Sequence, residues 1–364
     1  MASPILQFAT SDDTSRGAAP VGAAEELDRT TRRLVGDLHQ PNPKIFWADL
    51  IVSAAIGWGA FAIAVFSSSW PIMSVAGTIA AFALYRGLCF THEITHIKKR
   101  ALPGFESAWN LVFGVPLLLP SFTYVGVHQS HHSLATYGTK DDPEYLPFAS
   151  SRRLIIAFSL QSSLMIPPLL LLRFLVLAPI GLVFPAFHRW LEVHASSFSM
   201  NPAYRREVPP AVAWKMRRWE FATLAGWGSL FALMVAGALP WKVLAVWLGV
   251  LAVVSFVNTM RVLGAHEYES DGTPRDRHGQ LADSIDTPGG PWTELWAPVG
   301  LRYHALHHYF PGIPYHNLGL AYDRIIATAP GATTYRESSS PSLRRSLTVL
   351  YQKAKAKGAT MMGW

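Results

Sequence analysis

Long stretches of this chain carry almost no charge, and that limits its fold more than any other feature. Phe46 to Trp70 is uncharged apart from Asp49 near its start, and Pro71 to Phe90 follows as a second apolar run. Phe221 to Leu239 and Trp241 to Leu263 form another pair, joined at Pro240. Each run is close to the ~20 residues that a helix needs to cross a bilayer. Lipid offers no partner to backbone N–H and C=O groups, so runs of this kind become helices. The Ser67 to Pro71 joint and the Pro240 joint are short and read as hairpin turns. The expectation is an all-α integral membrane protein, multi-pass, with four long transmembrane helices as two hairpins.

Basic residues set the orientation. Lys98, Lys99 and Arg100 follow the second run, and such clusters favour the cytoplasm. Two spans from a cytoplasmic start also end there, so both termini are expected on that side. Trp109 to Pro120 is apolar but too short to cross, and reads as a re-entrant or interfacial piece. Residues 154–184 are apolar but interrupted by Pro167, Pro168 and Arg173. They read as an interfacial or re-entrant hairpin broken at the prolines, or as two short spans.

Residues 1–43 are expected to be a flexible cytoplasmic leader with a short helix near 23–38. They lack the basic and apolar regions of a signal peptide. Residues 44–325 then form the membrane domain, and 326–364 a basic C-terminal tail. The chain is 50% hydrophobic and 15% charged, whereas soluble domains carry roughly 25% charged residues. The net charge of +7 fits cytoplasmic loops and lipid headgroups, and no nucleic-acid motif accompanies it. Cys89 is the single cysteine. That rules out an intrachain disulfide or a cysteine-built metal site, and fits a reducing compartment.

Three histidine clusters stand out. His92 and His96 are spaced H-x-x-x-H, directly after the second apolar run. His128, His131 and His132, and again His304, His307 and His308, are spaced H-x-x-H-H. Residues i, i+3 and i+4 share one face of a helix, so each cluster aims its imidazoles at one space. Eight imidazoles exceed the roughly four ligands of one zinc ion and suit two metals. Imidazole ligands are compatible with iron, copper, nickel or zinc.

His266 lies just past the fourth apolar run, on the face expected for the clusters, and is a ninth candidate. Asn258, two turns earlier, can reach a metal through water or hydrogen-bond between helices. Ligating histidines usually give their second nitrogen to a carboxylate or carbonyl. Asp142 and Glu93 are candidates for that role, with Asp141, Glu144 and Glu267 also near the clusters. His316 is a candidate to orient a ligand or to hold the Pro314-Tyr315 turn. His39, His188, His194 and His278 lack cluster partners and read as non-ligands.

The segments His92-Glu93-Ile94-Thr95-His96, His128-Gln129-Ser130-His131-His132 and His304-Ala305-Leu306-His307-His308 resemble the histidine boxes of the membrane fatty acid desaturase superfamily, which includes related hydroxylases. Phe310-Pro311, Pro314-Tyr315-His316-Asn317-Leu318, Tyr137-Gly138-Thr139 and Asp142-Pro143-Glu144-Tyr145 resemble its lipid-desaturase branch. The resemblance spans residues 45–320. It implies two non-haem iron ions held by the eight box histidines and His266, with O2 as co-substrate. It implies desaturation of a lipid-linked fatty acyl chain. Hydroxylation or ketolation of an acyl chain, alkane or carotenoid is the alternative, because the metal site looks the same in sequence.

Two departures are informative. Acyl-CoA desaturases of the superfamily place an Asn four residues before the extra histidine, where this chain has Val262. Some members carry a fused haem domain with an His-Pro-Gly-Gly motif, and the nearest match here is Thr287-Pro288-Gly289-Gly290. Electrons are therefore expected from a separate carrier, such as ferredoxin or cytochrome b5 with its reductase, docked on basic loops. A function of another class is a His-rich membrane metal-binding or transport protein. It requires ionisable residues at mid-span, and the long runs hold few.

Overall fold

Asn42 starts the first long helix. Its Oδ1 accepts the Lys44 N–H at 3.0 Å, and Pro43 fills the first helical position, where no N–H is needed. Helix α1 (Pro43–Phe66) turns through Ser67–Ser69 into α2 (Trp70–His96). The two pack closely because α1 presents Gly57 to α2. A Cβ there would lie 2.6 Å from Leu84 Cδ2. The computed structural model describes residues 29–328 and 333–361, and among these it is all-helical with no strand. Residues 1–28, most of the expected leader, lie outside the described residues.

Between α2 and the second histidine cluster the chain makes a tight apolar excursion. Phe105–Trp109 is a turn of α-helix and Asn110–Gly114 a π-helical turn. The excursion closes where Ser121 N–H donates to Asn110 Oδ1 at 2.7 Å and Asn110 Nδ2 donates to Ser121 Oγ at 2.9 Å. Irregular backbone exposes carbonyls that lipid cannot satisfy. Here tryptophans supply the donors. Trp58 Nε1 donates to Val112 O at 2.9 Å, Trp227 Nε1 to Val115 O at 3.1 Å and Trp247 Nε1 to Pro116 O at 2.9 Å. Trp109 Nε1 in turn donates to Gly87 O on α2 at 2.7 Å.

The next elements are α3 (Val127–His131), α4 (Arg152–Val183), α5 (Pro185–His194), α6 (Pro210–Val235) and α7 (Lys242–Leu263). Among the described residues, four helices are long and apolar enough to cross a membrane: α1, α2, α4 and α7. They differ from the expected set at two places. Pro167 and Pro168 do not break α4, which runs through them and carries a π-helical turn at Leu172–Leu177. The break falls at Phe184, so neither a hairpin at the prolines nor two short spans is formed. Arg173 is tolerated because it is buried with partners, donating from Nε to Ala195 O at 2.5 Å and pairing with Glu220 of α6. The expected span 221–239 is the apolar end of α6, whose first half carries Lys215, Arg217, Arg218 and Glu220 and lowers its hydropathy.

α7 packs along both α4 and α2. The tips of the α1–α2 and α6–α7 turns meet, where Lys242 Nζ donates to Ser67 O at 2.5 Å. Trp70 and Trp241 are exposed at these tips, as tryptophans at a lipid–water boundary are. Ile51, Ile63, Val75 and Leu160 are exposed along the helices, which gives the bundle an apolar outer face.

At the opposite end, α8 (Arg277–Asp283), α9 (His304–Tyr309), α10 (Tyr315–Thr328) and α11 (Leu343–Met361) form a cap. Val35 and Leu38, from the described part of the expected leader, are buried with Leu306, Phe310 and Leu318 of the cap. The basic tail is α11, whose Lys353 reaches Glu267 at 2.5 Å and Glu269 at 2.8 Å. Two acids anchor the cap to the bundle. Asp49 accepts from Arg86 Nε at 2.8 Å and from Tyr315 OH at 3.0 Å, while Glu93 Oε2 accepts the Tyr315 N–H at 2.9 Å.

Gly87 is the tightest point of the core. A Cβ there would lie 2.0 Å from the Phe113 ring, whereas one at Gly59 would meet nothing within 4 Å. Overpacking costs about 1–3 kcal/mol. Gly87→Ala should therefore lower the thermal unfolding midpoint in detergent, and Gly59→Ala should not. Equal midpoints for the two variants would contradict this packing.

Candidate metal centre

The three clusters arrive on separate elements. His92 and His96 form the last turn of α2, His128 and His131 lie on α3 with His132 at its end, and His304, His307 and His308 lie on α9. His266 follows α7, held by an isolated bridge to Ser284. Folding sorts these nine into two groups. His92, His96, His128, His132 and His307 form one, and His131, His266, His304 and His308 the other. Within each group one nitrogen per residue lies within 4.8 Å of all the others. The H-x-x-H-H spacing thus does not keep a cluster together: His131 joins one group and His128 and His132 the other, because neighbours on a helix differ in direction.

The ring nitrogens face one another. His132 Nε2 is 3.0 Å from His128 Nε2, His304 Nε2 is 2.9 Å from His266 Nε2, and His307 Nε2 is 3.2 Å from His96 Nε2. Both nitrogens of His92, and Nδ1 of His132, His304 and His307, are buried without a hydrogen-bond partner. Lone pairs that converge in a buried space repel unless a cation lies between them, and buried polar atoms are normally satisfied. Each group therefore fits a metal ion. The all-imidazole donor set is compatible with iron.

The outward nitrogens show how the rings are held. His128 Nδ1 lies 2.9 Å from Glu144 Oε1 and 2.9 Å from Tyr124 OH. His131 Nδ1 lies 2.9 and 3.0 Å from the two oxygens of Asp142. Asp142 is itself fixed by the N–H groups of Gly138 and Glu144, each at 2.8 Å. A carboxylate accepts from Nδ1–H, which leaves Nε2 free to turn inward as a ligand.

Of the residues expected to orient the rings, Asp142 does so directly. Glu93 Oε1 lies 3.4 Å from His92 Nδ1, while its other oxygen holds Tyr315. The remaining two contact no clustered histidine. His316 accepts the Asn42 N–H at 3.1 Å and pairs with Asn317 Oδ1 at 2.9 Å, which ties α10 to the start of α1. Asn258 Oδ1 accepts from Arg261 Nε at 3.3 Å and Nη2 at 3.1 Å.

Sequence reasoning missed the partners of His266 and His308 in the second group. Tyr137 OH lies 3.0 Å from His266 Nδ1 and donates to Asp283 Oδ2 at 2.9 Å. Asp283 also holds Tyr145 OH at 3.1 Å and Arg275 Nη1 at 3.0 Å. Gln280, one turn before Asp283 on α8, lies 3.4 Å from His308 Nδ1. Asp286 accepts the Leu306 N–H at 3.2 Å, at the first turn of α9. The i, i+3 spacing of Gln280 and Asp283 was visible, but nothing local pointed it at histidines 15 or more positions away.

Burial governs the protonation of the site. It holds His128, His132, His266, His304, His307 and His308 well below the ordinary histidine range, helped by the neighbouring rings. Neutral imidazole is the form that ligates a metal. Burial also acts to lower His131, but Asp142 beside it holds its pKa above the ordinary value. Burial pushes Glu144 up to about 7, against the pull of His131.

Comparison with known proteins agrees with the architecture. The family described as fatty acid desaturase matches residues 68–339. A ceramide hydroxylase of Caulobacter vibrioides (strain NA1000 / CB15N) is 37% identical over 344 residues, which cover 92% of this chain and 95% of that protein.

Outer partners of metal ligands are typically worth about 10–100-fold in metal affinity. Asp142→Asn and Asp283→Asn should each weaken metal retention by that order in a chelator competition read by elemental analysis. His316→Ala should leave it unchanged. The reverse ranking would contradict the arrangement described.

Proposed function

The chain belongs to the fatty acid desaturase family, and from that premise we propose that it is an O2-dependent lipid hydroxylase acting on a ceramide-type lipid. The observation that carries this reading is the near full-length similarity to a ceramide hydroxylase. The two buried histidine groups support it, since they offer donor sets for a pair of non-haem iron ions. Bound there, the irons supply the activation of O2. His92, His96, His128, His132 and His307 hold one ion, and His131, His266, His304 and His308 the other.

The remaining residues position these donors. Glu144 and Asp142 fix the tautomers of His128 and His131, and Tyr137 with Asp283 fixes His266. The buried setting keeps bulk water from the reacting carbon. In hydroxylation one C–H bond becomes C–OH. O2 is consumed with two electrons and two protons, and water carries away the second oxygen atom. A separate carrier protein, of ferredoxin or cytochrome b5 type with its reductase, supplies the electrons. The basic segment Lys98–Arg100 beside the first histidine cluster favours a cytoplasmic face for the site.

Desaturation of a lipid-linked acyl chain is the second reading, favoured by the family match across residues 68–339. It uses the same O2 and electrons but removes two hydrogens and releases both oxygen atoms as water. Mass spectrometry separates the two, since a hydroxylated product gains about 16 Da and a desaturated one loses about 2 Da (from counting atoms; the cofactor sets the chemistry). Expression in a host lacking both activities should yield hydroxylated ceramide, and His307→Ala should yield none. Unsaturated but unoxygenated lipid would select desaturation instead.

A further inference from the structure

Arg261 occupies the last turn of α7, five residues before His266. It lines a small cavity whose wall includes His92 and His128 of one histidine group and His266 and His304 of the other. The cavity holds about 10 Å³, room for roughly one water-sized group. It lies between the two sets of donors, where a reacting molecule has to reach.

A guanidinium at this place is unusual in two ways. It adds positive charge beside two sites shaped for cations, which repel it. Its charge is also poorly matched. Arg261 donates to Asn258 Oδ1 at 3.1 to 3.3 Å, and among the described residues it makes no ion pair within 4.0 Å. Glu144 lines the same cavity, but His128 and Tyr124 take up its oxygens. A guanidinium carries five N–H donors, and the bonds to Asn258 use only two of its nitrogens.

We infer that Arg261 is a specificity residue that hydrogen-bonds an oxygen of the substrate's polar head, the hydroxyl or the amide carbonyl of a ceramide-type lipid. The inference rests on the lipid-oxidising reading of this site. Arg261 and histidines of both groups line the same cavity, so the C–H bond that is oxidised lies within a few bonds of the anchored oxygen. A residue of this kind has no use in a site that oxidises the middle of a plain acyl chain, which presents only CH2 groups.

The test uses the full-length protein in lipid nanodiscs, with ceramide and with an analogue lacking the head hydroxyl and amide oxygens. Binding to the metal-free protein is read by native mass spectrometry, and product position by fragmentation of the oxidised lipid. Wild type should bind ceramide about 10–100-fold more tightly than the analogue, the range expected for a hydrogen bond to a charged group. Arg261→Gln should lose that preference while binding the analogue as before, and its residual product should be spread over several carbons. Arg261→Lys keeps the charge without the planar fork; it should retain part of the preference and covers the case in which Arg261→Gln does not fold. An unchanged preference and product position in both variants would overturn the assignment to Arg261 alone. Wild type that neither binds nor oxidises ceramide would overturn the ceramide reading as well.

Discussion

Nine imidazoles whose ring nitrogens converge in two buried groups are the constraint on which the rest of the molecule depends. Such an arrangement is unfavourable by itself, and four separate stretches of chain have to hold it in place. The structure holds three of the rings from outside. Asp142 and Glu144 sit behind His131 and His128, and Asp283 reaches His266 through the Tyr137 hydroxyl. They are in turn held by Gly138, Tyr124, Tyr145 and Arg275.

A second constraint comes from the surrounding bundle. The excursion from Phe105 to Ser121 leaves regular α-helix after Trp109 and continues through a π-helical turn. Its carbonyls at Val112, Val115 and Pro116 are satisfied by indole donors from α1, α6 and α7. Tryptophan suits this place because it carries one N–H on a large apolar body. The same ring therefore packs the bundle and completes a hydrogen bond. The aromatic content of this chain is in part a response to irregular backbone, beyond any role at the lipid boundary.

Much of this was legible in the sequence. Apolar length revealed α1, α2 and α7, and helical spacing revealed the histidine clusters. His266 was legible because it lies just past the end of an apolar run. Asp142 was legible because ligating histidines need an acceptor and an acid stood close by. What escaped depended on distance along the chain or on context. Asp283 and Tyr137 meet at His266 only through the fold. The continuity of α4 escaped because a proline pair ordinarily ends a helix, and because Arg173 looks like an interruption until Glu220 is placed beside it. His316 stands in a sequence of the right kind, yet its ring joins two helices instead of facing a metal site.

The division of the histidines has a mechanical consequence. One group takes His92 and His96 from the end of a membrane-crossing helix, while the other takes all four of its members from segments outside such helices. A shift of α2 along its axis, at about 1.5 Å per residue of rise, moves two donors of the first group and none of the second. The helices α3 and α9, by contrast, each supply donors to both groups. These two short helices therefore fix the spacing between the sites.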